Sequence, residues 1–189
     1  MAKEENIILP VLTGVALLAL FSSDNKNSSG SGPAPDNLTP TQFILRYWNE
    51  AKLSQAQTTV PALFTITQAG LESGWGKHAP QFNFFGIKAS PGWTGATQLL
   101  DTTEYINNVL VHVKASFRAY PSARAAFIDH GNFFLVNQRY HAAMQQVNDI
   151  IKFTNAIAAA GYATDPNYAS KLIASMKIVV QVLKVHKLI

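Results

Sequence analysis

From Thr39 onward apolar positions recur at helical spacing. Phe43, Ile44, Tyr47, Trp48 and Ala51 form one stripe and predict an amphipathic helix to about Gln57. Thr39 is its N-cap and Pro40 its first residue. Leu63, Phe64, Thr67 and Leu71 predict a second helix from Pro61 to about Ser73, stopped by Gly74. The period then changes. Between 97 and 118 β-branched and aromatic residues are frequent, and Val109, Val111 and Val113 alternate with Leu110, His112 and Lys114. With Asn107-Asn108 as the turn, this predicts a β-hairpin of 97–106 with 109–118. Helical spacing resumes at Ser122, near Gln138 and at Asn148, the last of these helices ending at Gly161. Asp165-Pro166 caps a final helix running toward His186. The pattern gives an α+β fold, predominantly α, with a small β-hairpin lobe flanking a cleft.

The first 38 residues follow other rules. Ile7 to Phe21 is uncharged and almost wholly apolar, an N-terminal hydrophobic helix of about 22 Å against a hydrocarbon core of roughly 30 Å. We read residues 1–21 as a membrane anchor or signal-like segment. Its flanks suit neither role well, because Glu4 and Glu5 outweigh Lys3 and no small-residue cleavage site follows. Residues 22–38 are rich in Ser, Gly, Asn and Pro and form a flexible linker. Residues 39–189 are the globular body.

Composition narrows the chemistry. The 189 residues include no Cys, which excludes a disulfide framework, a Cys-ligated zinc and a thiol nucleophile. Lys+Arg 15 exceed Asp+Glu 11. Residues 1–36 hold Lys3 and Lys26 against Glu4, Glu5, Asp24 and Asp36, so the positive excess lies in the body. A basic body suits an anionic partner, but the scattered Lys and Arg give no nucleic-acid signature. Phosphate loops, serine-nucleophile elbows and HExxH motifs are absent. His78, His112, His130, His141 and His186 form no ligand pair and read as surface or boundary residues, so neither a metal nor a cofactor is expected.

Carboxylate chemistry remains. The body offers Glu50, Glu72, Asp101, Glu104, Asp129, Asp149 and Asp165. Glu50 falls on the polar side of the first helix and reads as solvated, while Asp149 and Asp165 suit helix starts. Glu72 differs. It ends an apolar helix, where the dipole disfavours a negative charge, and Ser73-Gly74-Trp75-Gly76 follows. The glycines leave room for a ligand, and Trp75 offers a flat face to a sugar. Apolar surroundings raise a carboxyl pKa, as a general acid at neutral pH requires.

Gln68-Ala69-Gly70-Leu71-Glu72-Ser73-Gly74-Trp75-Gly76 and Asn83-Phe84-Phe85-Gly86-Ile87-Lys88 resemble the bacterial and phage glucosaminidase family, glycoside hydrolase family 73. Four further strings follow in order: Trp93-x-Gly95, Thr102-Thr103-Glu104-Tyr105, Phe117-Arg118-x-Tyr120-x-Ser122 and Gly161-Tyr162-Ala163-Thr164-Asp165-Pro166. The resemblance implies a lysozyme-like fold and endo-β-N-acetylglucosaminidase cleavage of the β-1,4 bond after N-acetylglucosamine in peptidoglycan glycan strands. It also implies Glu72 as general acid, Glu104 as second carboxylate on the hairpin, and Tyr162 as a hydroxyl lining the reaction centre. Asn83, Phe85 and Lys88 then floor the cleft. Trp75, Trp93, Arg118 and Tyr120 are further candidate substrate contacts. Asp129 stands where relatives often carry Asp followed by Tyr; here His130 follows, and Asp129 reads first as structural.

Several alternatives stay open. Asp101 rivals Glu104, although strand alternation puts the two on opposite faces unless a bulge intervenes. The mechanism can be inverting, retaining or assisted by the substrate's acetamido group. A muramidase or lytic transglycosylase of similar fold, or a non-catalytic wall-binding or virion protein, fits the same residues. The setting is a membrane-anchored or exported autolysin facing the periplasm or wall, or a phage lysis or entry enzyme.

Overall fold

The computed structural model describes residues 37–106 and 109–189, with the side chains of Glu104, Tyr105, Ile106 and Leu110 outside that description. The expected N-terminal hydrophobic helix and all but the last residues of the linker lie outside the described residues. Among those described, no helix is long and apolar enough to cross a membrane.

Among the described residues, six α-helices and one hairpin make up the body: α1 (Pro40–Thr58), α2 (Ala62–Glu72), β1 (Thr97–Ile106), β2 (Val109–Arg118), α3 (Ala123–Val136), α4 (His141–Met144), α5 (Ile150–Ala159) and α6 (Tyr168–Val185). The expected starts of α1 and α3 carry their caps. Thr39 and Gln42 form a capping box, and the Ser122 hydroxyl accepts from Ala125 N–H. Two starts differ in detail. Asp149, not Asn148, caps α5, accepting from the N–H groups of Ile151 and Lys152. At α6 the N-cap is Asn167, and Asp165 ties the first turn from outside by accepting Asn167 N–H and Lys171 Nζ. The region near Gln138 is a 3₁₀ turn, Gln138–Tyr140, leading into the one-turn α4.

α2 organises the body. Ala62, Phe64, Thr65, Ile66, Thr67, Gln68, Ala69, Gly70 and Glu72 are all buried, so the helix is enclosed on nearly every side. Its threonines satisfy their hydroxyls within the helix, Thr67 donating to Leu63 O at 2.6 Å and Thr65 to Pro61 O. One apolar cluster, with Phe43, Trp48, Ile66, Phe84, Phe85 and Phe127, lies on one side of α2. A second, with Phe64, Phe134, Tyr140, Phe153, Tyr162, Tyr168 and Leu172, lies on the other.

α1 and α3 meet without room for a side chain at Gly131, where a Cβ would stand 2.7 Å from Thr58 Cβ. One turn away the buried Ser54 hydroxyl donates to Phe127 O at 2.8 Å. Glu50 is not simply solvated; it pairs with Arg124 across the same crossing at 2.7 Å. The hairpin has the expected ends and a continuous antiparallel register, Thr97 opposite Arg118 through Ile106 opposite Val109. A backbone bridge between Lys88 and Phe117 joins its base to the body.

Gly131→Ala should lower stability by about 1–3 kcal/mol, because the added methyl forces α1 and α3 apart. Gly92→Ala, with nothing near its Cβ, should stay within about 0.5 kcal/mol of wild type. Thermal unfolding of both variants checks the pair.

Candidate active site

Glu72 is the last residue of α2. The chain then turns away sharply, with Gly74, Trp75 and Gly76 all at positive φ. For Trp75 that conformation is strained, and its packing holds it there. Its amide donates to Gly70 O at 2.6 Å, and its ring lies on Gly70, whose Cβ would fall 2.5 Å from the indole. The ring also meets Phe43 edge-on, with centroids 5.9 Å apart. Ser73 locks the turn: its hydroxyl donates to Ala69 O and accepts from Gly76 N–H. Trp75 is therefore half-buried, and the face it lays on Gly70 is not available to a sugar.

Desolvation is the cause that shifts Glu72, and no cation is among its causes. Tyr162 and Tyr168 both feel its charge, and among the described residues its carboxyl makes no hydrogen bond. Only 9% of Glu72 is exposed. Burial disfavours the carboxylate and pushes its pKa up to about 8, so the group holds a proton at neutral pH. A carboxyl group that holds its proton at neutral pH can deliver that proton to a leaving oxygen.

Tyr162 follows Gly161, which has φ +74°. Arg139 fixes this corner, its guanidinium donating to Ala160 O at 3.0 Å and Gly161 O at 3.3 Å. The Tyr162 ring stacks on Tyr168 with centroids 5.7 Å apart. Tyr168 is buried, and its hydroxyl accepts from Gln68 Nε2 at 2.8 Å. Gln68 stands one turn before Glu72 on the same helix face. A polar residue four positions before the acid, in an otherwise apolar stripe, was the signal available in the sequence.

Several expected substrate contacts have partners within the protein's own frame. Phe85 has no exposed surface and stacks on His130 with centroids 3.7 Å apart, so it packs beneath the site without facing substrate. Asn83 spends its amide on the backbone, donating to Ile87 O and Arg118 O and accepting from Ile87 N–H. Arg118 and Tyr120 both turn to Asp129, at 2.7 Å from Arg118 Nη1 and 2.7 Å from the Tyr120 hydroxyl. Asp129 thus ties α3 to the end of β2, a structural role. The guanidinium of Arg118 also lies 4.4 Å from the Trp93 ring centroid, and Trp93 donates from its indole N–H to Ala96 O. Trp93 and Lys88 are half-buried and keep partial access to solvent. His130 is no surface residue. It is fully buried, and desolvation pulls its pKa down to about 3.

On the hairpin, Asp101 pairs with Lys114 at 3.2 Å, both exposed. The register has no bulge, and Glu104 stands opposite Val111 in it. No group of His, Asp and Glu among the described residues could hold a metal.

The helical body, the single hairpin and a buried acid at the end of a central helix define a lysozyme-like glycoside hydrolase domain. Residues 48–179 match the family described as Glucosaminidase, mannosyl-glycoprotein endo-beta-N-acetylglucosaminidase. The chain is 37% identical to the peptidoglycan hydrolase FlgJ of Salmonella typhimurium over 164 residues, 83% of this chain and 52% of that protein. It is 33% identical to an autolysin of Enterococcus faecalis over 144 residues, 71% of this chain and 19% of that one. The glycoside hydrolase domain of Salmonella typhimurium FlgJ superposes with TM-score 0.67 at 35% identity, covering 79% of this chain and 94% of that domain. A mutant peptidoglycan hydrolase from Sphingomonas sp. A1 gives TM-score 0.67 at 35% identity, over 77% and 99%. The chain belongs to the glucosaminidase family. It spans about half the length, or less, of the curated relatives it matches.

Burial of Glu72 has a measurable cost. The folded state holds its proton up to about pH 8, the unfolded chain only to about 4.5. Stability from this group is full below pH 4.5 and is lost as pH rises through 8. Glu72→Gln should match wild type at pH 4 and exceed it at pH 9 by at most roughly 3–5 kcal/mol. Denaturant unfolding at the two pH values reads the difference.

Proposed function

We propose that this chain is a peptidoglycan hydrolase, an endo-β-N-acetylglucosaminidase that cleaves the β-1,4 bond after N-acetylglucosamine. The observation that carries the reading is the buried, protonated Glu72 at the end of α2, in a chain of the glucosaminidase family. Glu72 protonates the leaving glycosidic oxygen as the sugar develops oxocarbenium character. Glu104, on the hairpin, orients the attacking water or the substrate's acetamido group. Tyr162 presents its hydroxyl to the reacting sugar. Trp93 and Lys88, with partial access to solvent, contact the glycan. No cofactor enters this chemistry.

The relatives named for peptidoglycan hydrolysis and autolysis support a wall substrate and a periplasmic or exported site of action. In this reading the apolar stretch 7–21 tethers the enzyme to a membrane through the 22–38 linker, in a cellular autolysin or a phage lysis or entry enzyme.

The test is mass spectrometry of borohydride-reduced products from purified peptidoglycan treated with the full chain. Reduced N-acetylglucosamine ends are expected, with Glu72→Gln slower by about 10²–10⁴-fold. The rate should fall as pH rises through about 8, where Glu72 loses its proton. Anhydro or N-acetylmuramic acid ends would move the chain to the transglycosylases or muramidases; wall binding with no new ends would leave a structural protein.

A further inference from the structure

Leu172, Met176, Val179 and Leu183 recur at helical spacing and bury one side of α6 in the two apolar clusters. On its outward side stand Ile178 and Val185, two turns apart, with 56% and 66% of their surface exposed. Each follows an exposed lysine, Lys177 and Lys184, and the pairing recurs past the helix end at Lys187-Leu188. The helix end presents that last pair. Lys187 takes a left-handed backbone, φ 55°, and donates its N–H to Lys184 O while Leu188 N–H donates to Leu183 O at 2.9 Å. This is a Schellman turn made without glycine. A leucine at that place ordinarily covers the helix end, yet Leu188 keeps 42% of its surface exposed. The charge is one-sided: from Pro166 to Ile189 the chain has four lysines and no Asp or Glu. Lys171 is held by Asp165 at 2.6 Å, and the other three form no ion pair among the described residues. Single apolar side chains scattered on a surface are ordinary. Three lysine–aliphatic pairs along one helix and its end, with no counter-charge, are a pattern.

We propose that this outward face of α6 docks on an anionic lipid surface, its lysines reaching the headgroup phosphates while Ile178, Val185 and Leu188 enter the acyl boundary. Lysine stems run along apolar surface and carry their charge past it, so both contacts form at once. A bilayer offers the matching pair, phosphate above hydrocarbon. A soluble polyanion would satisfy the lysines and leave the aliphatics wet. A second copy meeting the same face would set lysine against lysine. The surface is separate from the 7–21 stretch and from the hydrolase site, and it stands whether or not that stretch meets a membrane.

The chain has no cysteine, so Gln181→Cys, exposed between Ile178 and Val185, takes a single environment-sensitive fluorophore, and Gly92→Cys takes it away from α6. The full chain is titrated with vesicles of phosphatidylcholine alone or of equimolar phosphatidylcholine and phosphatidylglycerol. Each titration is run with and without Leu17→Asp, which sets a charge in the 7–21 stretch and closes that route to the bilayer. Anionic vesicles should shift the emission at position 181 to the blue, in both backgrounds, and leave position 92 unmoved. Lys177→Gln with Lys184→Gln should need about 10–30-fold more anionic lipid for the same shift, and added salt should weaken it. Ile178→Ser with Val185→Ser should remove the shift. Both pairs are exposed, and thermal unfolding should find each variant folded. An unmoved label at 181, equal shifts at 181 and 92, or a shift that vanishes with Leu17→Asp overturns the proposal. The same shift from poly(glycerol phosphate) would assign the face to a soluble polyanion. A shift that grows with protein concentration alone would assign it to a second copy. Either result overturns the lipid assignment.

Discussion

Everything in the site depends on one costly placement, a carboxyl group buried at the C-terminal end of an enclosed helix. The helix end already disfavours negative charge there, and burial removes the water that would stabilise it. No cation offsets the cost among the groups that shift Glu72, because desolvation is the cause and tyrosines are the neighbours. A lysine or arginine at hydrogen-bonding distance would stabilise the carboxylate and lower the pKa. The surroundings of Glu72 therefore preserve an acid, and the rest of the fold keeps them dry.

That constraint explains how the neighbouring turns are built. Trp75 accepts a left-handed backbone because its ring, lying on Gly70, seals one side of the helix end. Gly161 takes a positive φ so that Tyr162 can enter from α5, and Arg139 satisfies the carbonyls this corner exposes. Asp129 gathers Arg118 and Tyr120, and Asn83 pins the backbone of Ile87 and Arg118. These polar residues hold the hairpin base to the body where β2 ends. Polar side chains that a motif places near a site are here mostly spent on its frame.

Local rules were readable from the chain itself. Thr39, Ser122, the stop at Gly74 and the alternation about Val109–Val113 located helices and strands because caps, glycines and period-two patterning act over a few residues. Glu72 was legible for the same reason: a lone carboxylate ending an apolar helix stands out in one dimension. What could not be read was who pairs with whom. Arg118 and Tyr120 are as plausible on a cleft surface as in a network until Asp129 is placed between them, and that pairing spans β2 and α3. His130 read as a boundary residue because histidine usually is. Its complete burial between Phe85 and Phe64 follows from the crossing of three distant segments.

The two buried titratable groups divide the pH scale between them. Glu72 favours the folded state at low pH and withdraws that support as pH rises toward 8. His130, neutral in the core with both ring nitrogens unpartnered among the described residues, does the reverse. Its folded pKa lies near 3 and its ordinary value near 6.5, so its contribution is complete above 6.5 and is lost as pH falls toward 3. The first group stands where the proposed chemistry calls for an acid. The second has no such use in the mechanism: it fills a ring-shaped space between two phenylalanines. A buried carboxyl group that keeps its proton is thereby set in a body whose core resists protonation, and the pH range in which both conditions hold lies around neutrality.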